Sequence, residues 1–177
     1  MLGVSVMAIN VPKEYEVPLY LFHQGKNAEA YKLFGSHFAK KDGVSGVVFR
    51  VWAPKAADVS VVGDFNHWNR EESYMKKISD GGIWELFIPG LKKFDNYKYS
   101  IKTERGQIKL KADPYGYHME TRPNTASKVY DISGYNWKDS KWMDEKKTKD
   151  VYRSPMKIYE VHLNSWFTKT DDEELFS

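Results

Sequence analysis

No cysteine occurs in the 177-residue sequence. That absence excludes a disulfide scaffold, a thiolate metal site and a cysteine nucleophile, and it fits a reducing, cytoplasmic compartment. No apolar stretch approaches the roughly 20 residues that cross a bilayer, so no membrane partner is expected. Neither sign of charge dominates, because 27 Lys and Arg stand against 24 Asp and Glu for a net charge of +3. A phosphate-binding footprint needs clustered positive charge, so nucleic acid is not an expected partner either. The apolar run from Leu2 to Val11 has no basic residue ahead of it and no small-residue cleavage site, which argues against a signal peptide. A frayed or vector-derived extension and an ordered strand both remain open for it.

What is present is core-forming material. Hydrophobic residues make up 41% and aromatic residues 15% of the chain, which excludes a disordered polypeptide. Leu19–Phe34 reads as a helical segment broken near Gly25, with Ala28, Ala30, Leu33 and Phe34 as its buried stripe and Gly35 as its stop. The period then changes to two. In Gly46–Pro54, Val47, Phe49, Val51 and Ala53 alternate with Val48, Arg50 and Trp52, a pattern for a strand covered on both faces. Ala57–Val62, Met75–Ile78, Ile83–Ile88, Tyr97–Thr103 and Gln107–Lys111 continue the series. Asp80-Gly81-Gly82 and Glu104-Arg105-Gly106 supply hairpin turns. Short strands at regular spacing with glycine-bearing turns point to an all-β sandwich.

After Ala112 the pattern weakens. Asp113–Asn124 is interrupted twice by proline and is expected to be irregular, Ser127–Ile132 is expected to be a last sandwich strand, and Tyr135–Asp150 a solvated connector. Lys157–Leu163 (KIYEVHL) reads as one more strand. It has no partner in the sequence that follows, so the chain is expected to be cut from a larger protein.

Catalytic chemistry is hard to find. Asp58, Asp64, Glu85 and Asp113 lie in turns or strands without evident convergence, and Asp beside glycine or proline is expected for turn formation alone. His23, His37, His67, His118 and His162 show no metal-ligand spacing. There is no nucleophile elbow, phosphate-binding loop or dinucleotide fingerprint, so no catalytic residue, metal or cofactor is expected. Gly63–Trp68 (GDFNHW) is more informative. Sugars present flat C–H faces ringed by hydroxyls, and a site for them wants an aromatic platform with hydrogen-bonding groups beside it. Trp68 with Asn66, and Lys98 if the sheet brings it close, would supply both. The plainer alternative is that Phe65 and Trp68 cap the end of the sandwich core.

GVVFRVWAPKAADVSVVGDFNHW, GIWELFIPG, YKYSI and KADPYG, in this order, resemble the N-terminal β-sandwich of the α-amylase superfamily, the family 48 type of carbohydrate-binding module. The flanks LYLFHQGKNAEAYKLFGSHF, RPNTAS and MKIYEVHLNSW are similar to bacterial 1,4-α-glucan (glycogen) branching enzymes, and the likeness covers Leu19 to Phe167. The resemblance implies a mainly β fold: an immunoglobulin-like sandwich over residues 36–133, an N-terminal extension with a short helix over 1–35, a linker over 134–156, and from 157 to 177 a stub of a (β/α)8 barrel. It implies an enzyme that cuts an α-1,4 link and transfers the released glucan chain to a 6-hydroxyl. The two carboxylates of such a retaining enzyme would lie on the missing barrel in cis, so this chain alone is expected to be inactive. The resemblance also implies an α-glucan partner contacted by Trp68 and Lys98. A second tryptophan of glycogen-binding members falls where this sequence has Ile108. Free-standing glucan-binding modules and the corresponding module of debranching enzymes are the alternatives; KIYEVHLNSW argues against the first, and the LYLFHQGKN flank against the second.

Overall fold

A computed structural model of the chain describes residues 13–162. The Leu2–Val11 run and everything from Leu163 onward lie outside the described residues. The chain divides into two compact units, one ending at Gly134 and one beginning at Tyr135.

The first unit is mainly β, built from two antiparallel sheets. Strands β1 (Gly35–Lys41), β2 (Val44–Trp52), β4 (Lys76–Ser79) and β5 (Ile83–Pro89) form one sheet in the order β1-β2-β5-β4. Strands β3 (Ala56–Gly63), β6 (Asn96–Thr103), β8 (His118–Met119) and β9 (Ser127–Lys128) form the other in the order β3-β6-β9-β8, with β7 (Ile108–Lys111) also paired to β6. The sandwich expected from the two-residue period is therefore present. Alternation decides which side chains face inward. Val47, Phe49 and Val51 of β2 are buried in one cluster with Val59 and Val61 of β3 and with Tyr97 and Tyr99 of β6. Phe49 meets Tyr97 with ring centroids 4.9 Å apart. Both hairpins form where expected, with Gly82 and Gly106 at positive φ in the turns.

The polar centre of this core is Asp113, at 5% exposure the one buried carboxylate among the described residues. Its Oδ2 accepts from the phenols of Tyr97 at 2.7 Å and Tyr99 at 2.9 Å, and its Oδ1 accepts from the Tyr115 amide at 2.8 Å. The Asp113 amide donates to Ser127 Oγ at 2.8 Å. A buried carboxylate persists only when its lone pairs are occupied, and here they tie β6 to the chain following β7. Burial raises the Asp113 carboxyl above its usual range, although the Tyr97 phenol, the Tyr115 amide and the Tyr99 phenol oppose that shift.

Helix α1 (Lys13–His23) begins earlier than the expected Leu19–Phe34 segment and ends at the expected break. Gly25 has φ 67°, its amide donates to Phe22 O, and the Lys26 amide donates to Leu21 O. That glycine-closed pattern of paired bonds terminates a helix, and positive φ suits glycine. Beyond it only a single tight turn, Ala30–Lys32, is helical. Ala30, Leu33 and Phe34 are buried as expected while Ala28 is exposed, and Gly35 opens β1 instead of stopping a helix. This segment packs as a second core with Leu19, Ile78 and Ile83. Arg50, on the outer side of β2, locks it down. Its Nε donates to Glu85 Oε2 at 2.6 Å, its Nη2 to Tyr15 Oη at 2.6 Å and its Nη1 to Leu33 O at 3.3 Å. Glu85 is also its register partner on β5.

The irregular 113–124 stretch carries only the two-residue β8, and the expected strand Ser127–Ile132 is reduced to β9. In the second unit, within the stretch expected to be a solvated connector, helix α2 (Ser140–Thr148) forms with no buried residue. Ion pairs Lys141–Glu145 and Asp144–Lys147 support it at helical spacing. The strand expected over Lys157–Leu163 does not form over 157–162.

Candidate functional site

The Gly63–Trp68 loop leaves the end of β3 beside the start of β6, where Gly63 is in register with Tyr97. A side chain at residue 63 would meet Asn96 O at 2.1 Å, so this close approach of backbones requires glycine. The loop then turns through a short helical turn over Asp64–Asn66 and two consecutive residues at positive φ, His67 at 53° and Trp68 at 60°. Bulky residues occupy that region only when their surroundings over-determine it. Here the Trp68 amide donates to Gly63 O at 2.9 Å and the Asn69 amide to Asn66 O at 2.9 Å.

The loop divides its two aromatics. Phe65 packs against the sandwich core, whereas Trp68 stands 39% exposed. The capping role therefore falls to Phe65, and Trp68 is left with a ring facing water. Its polar edge is fixed: Nε1 donates to Asp64 Oδ1 at 2.9 Å. The other oxygen of that carboxylate accepts from Asn96 Nδ2 at 2.9 Å, linking the loop to β6. From sequence, Asp64 beside Gly63 reads only as a turn former. Its spacing of four residues from Trp68 inside a tight loop is the signal that could have identified its second role.

Asn66 does not do what was expected of it. It is 3% exposed. Its Oδ1 accepts from the Gly63 amide at 2.9 Å, and its Nδ2 donates to Val61 O at 3.0 Å and Ser73 Oγ at 3.1 Å. Both amide protons are spent on the chain flanking the loop, so Asn66 staples the turn and has no donor left for a ligand.

Lys98 lies on the outer face of β6, two residues beyond Asn96 and thus on the same side. Its ammonium donates to Thr125 Oγ1 at 2.8 Å, with no other partner for that donor among the described hydrogen bonds. Trp68, Asp64 and Asn96 are therefore joined by hydrogen bonds, and Lys98 lies on the same face of β6. Ile108 is opposite Lys102 on β7, is 56% exposed, and shares this outer face without adding an aromatic ring. No cluster of His, Asp or Glu able to hold a metal occurs among the described residues. No helix among them is long and apolar enough to cross a membrane. An aromatic face beside fixed polar groups on an open sheet can stack on a flat apolar surface and exchange hydrogen bonds around its rim.

Residues 33–116 match the family described as carbohydrate-binding module 48, the isoamylase N-terminal domain. The chain is 50% identical over 165 residues to the 1,4-alpha-glucan branching enzyme GlgB of Bacillus subtilis (strain 168), an alignment covering 93% of this chain and 26% of that enzyme. The enzyme of the same description from Bacillus cytotoxicus is 50% identical over 162 residues, covering 92% of this chain and 25% of its own. A solved pullulanase from Bacillus acidopullulyticus is 27% identical, covers 55% of this chain and 12% of its own, and superposes with a TM-score of 0.43. The chain spans about a quarter of the length of the branching enzymes it matches.

Proposed function

Residues 33–116 belong to carbohydrate-binding module family 48, and from that premise we propose that the chain is the glucan-positioning N-terminal region of a cytoplasmic 1,4-α-glucan branching enzyme. Such an enzyme cuts an α-1,4 link and passes the released segment to a 6-hydroxyl, making a branch. The sandwich, of immunoglobulin-like type, holds a glucan chain while a barrel beginning near Lys157 performs the chemistry. Support for the parent activity is the 50% identity to branching enzymes along 93% of this chain.

The observation that carries glucan binding is the half-exposed Trp68 ring with its indole N–H already bonded to Asp64. A ring whose polar edge is satisfied offers its apolar face without leaving a donor stranded. Trp68 supplies the stacking surface and Lys98 a hydrogen-bond donor to sugar hydroxyls. Catalysis needs two facing carboxylates, and the buried Asp113 is already occupied by two phenols and an amide. The chain by itself therefore leaves amylose uncut.

Affinity electrophoresis of the 177-residue chain in amylopectin gels tests the binding role. Trp68→Ala is expected to abolish most retardation while far-ultraviolet circular dichroism is preserved. Equal retardation of both proteins would remove Trp68 from the site. Long incubation with amylose, followed by iodine staining, is expected to show no spectral change.

A further inference from the structure

A second group of aromatic side chains lies on the outer face of the same sheet, and no sequence motif drew attention to it. Phe94, two residues before β6, has φ 77° and is 50% exposed. Left-handed backbone is costly for a bulky residue, and burying this ring is not what the cost secures. Two other rings pin it. His118 stands 5.5 Å away at an interplanar angle of 87°, and Tyr130 stands 5.5 Å away at 59°. His118 and Tyr130 are themselves 5.1 Å apart. Lys93 Nζ lies 3.9 Å from the Tyr130 ring centroid and 5.5 Å from the Phe94 centroid, so it stands over both rings while half of Phe94 stays exposed.

Register connects this cluster to Trp68. Asn96, which reaches Asp64, is directly opposite Lys128, and Lys128 is directly opposite His118. Residues directly opposite in an antiparallel ladder share a face. With strands about 4.8 Å apart, the row Asn96, Lys128, His118 crosses roughly 10 Å of sheet from the Trp68 loop to the Phe94 cluster. With Asn96 engaged by Asp64, it offers the Lys128 ammonium between two aromatic faces.

We infer that the glucan surface proposed above extends along this row to a second platform, the Phe94 ring braced by His118 and Tyr130. Its ligand is a longer α-glucan chain that also lies on Trp68, with Lys93 and Lys128 donating to hydroxyls along the way. The inference rests on the glucan-binding reading and adds a preference for chain length. It places the second aromatic contact at the start of β6, away from β7 and Ile108.

The test titrates the full chain with maltotriose and maltoheptaose by isothermal calorimetry. Phe94→Gly is the variant of choice, because glycine adopts positive φ without strain and removes the ring without endangering the fold. The wild-type chain is expected to bind maltoheptaose more tightly than maltotriose. Phe94→Gly is expected to weaken maltoheptaose roughly two- to tenfold and leave maltotriose unchanged, given the worth of one ring contact. Unchanged binding of both ligands, or equal weakening of both, overturns the second platform while glucan binding stands. A wild-type chain that binds neither ligand overturns the binding role itself, and the second platform with it.

Discussion

The indole nitrogen of Trp68 and the carboxylate of Asp64 are bonded at 2.9 Å, four residues apart in a loop whose last two backbone positions are left-handed. Asp64 also accepts from Asn96 at 2.9 Å. One carboxylate thus sets the ring's orientation relative to β6, and with it the angle at which a flat ligand is met. Pre-setting an exposed side chain lowers the entropy lost when a ligand arrives.

Asp64→Ala removes that restraint and leaves the ring in place. Binding of maltoheptaose is expected to weaken about three- to tenfold, the effect of releasing one rotamer-rich side chain. Because Asp64 is exposed, the thermal midpoint is expected to move little. Tryptophan emission anisotropy, which reports ring mobility averaged over the six tryptophans, is expected to fall. Unaltered affinity with lowered anisotropy would separate the restraint from binding and sink this role for Asp64.

Asn66 answers to a different measurement. Its three hydrogen bonds go to Gly63, Val61 and Ser73, so Asn66→Ala strands the Gly63 amide and loosens the turn. A buried unsatisfied group of this kind costs about 1–3 kcal/mol. For a chain of this size that is a fall of roughly 2–12 °C in thermal midpoint. Glucan affinity per folded molecule, measured well below the transition, is expected to change far less than with Trp68→Ala. An affinity loss equal to that of Trp68→Ala at unchanged stability would return Asn66 to the ligand-binding set.

These contrasts show where sequence patterning is a sufficient guide. The alternation of Val47, Phe49 and Val51 appears directly as a buried face, since a two-residue period leaves one assignment for each side chain. β1 escaped notice because only Gly35 and Ser36 of it are buried, and an edge strand with little apolar alternation looks like a loop. α2 escaped because its exposed ion pairs stabilise a helix without the apolar stripe that advertises one. Within the site, Trp68 was legible from its loop. Whether Asn66 faced inward or outward depended on Val61 and Ser73, five and seven residues away, through bonds that no periodicity encodes. The Phe94 cluster joins residues 94, 118 and 130, a convergence that exists only once β8 and β9 are paired.

Asp113 makes the stability of the sandwich depend on pH in a definite direction. Burial, the largest influence, raises its carboxyl above the unfolded value of 3.8, against the opposing hydrogen bonds from Tyr97, the Tyr115 amide and Tyr99. Between the unfolded and folded values the native state binds more protons than the unfolded chain, so this group's contribution grows as pH falls and is lost as pH rises through the folded value. Burial and the neighbouring carboxylate hold the Tyr97 and Tyr99 phenols well above their ordinary ionisation, so both keep donating throughout. Asp113→Asn abolishes the titration while preserving the shape of the side chain. Urea midpoints of both proteins, compared from pH 7 down to pH 3.5, cancel the contributions of every other carboxylate. The wild-type chain is expected to gain stability relative to Asp113→Asn as the pH approaches 3.8 from above, with a constant difference near neutrality. A gap that stays constant over the whole range, or moves in the opposite sense, would mean that hydrogen bonding outweighs burial at this carboxylate.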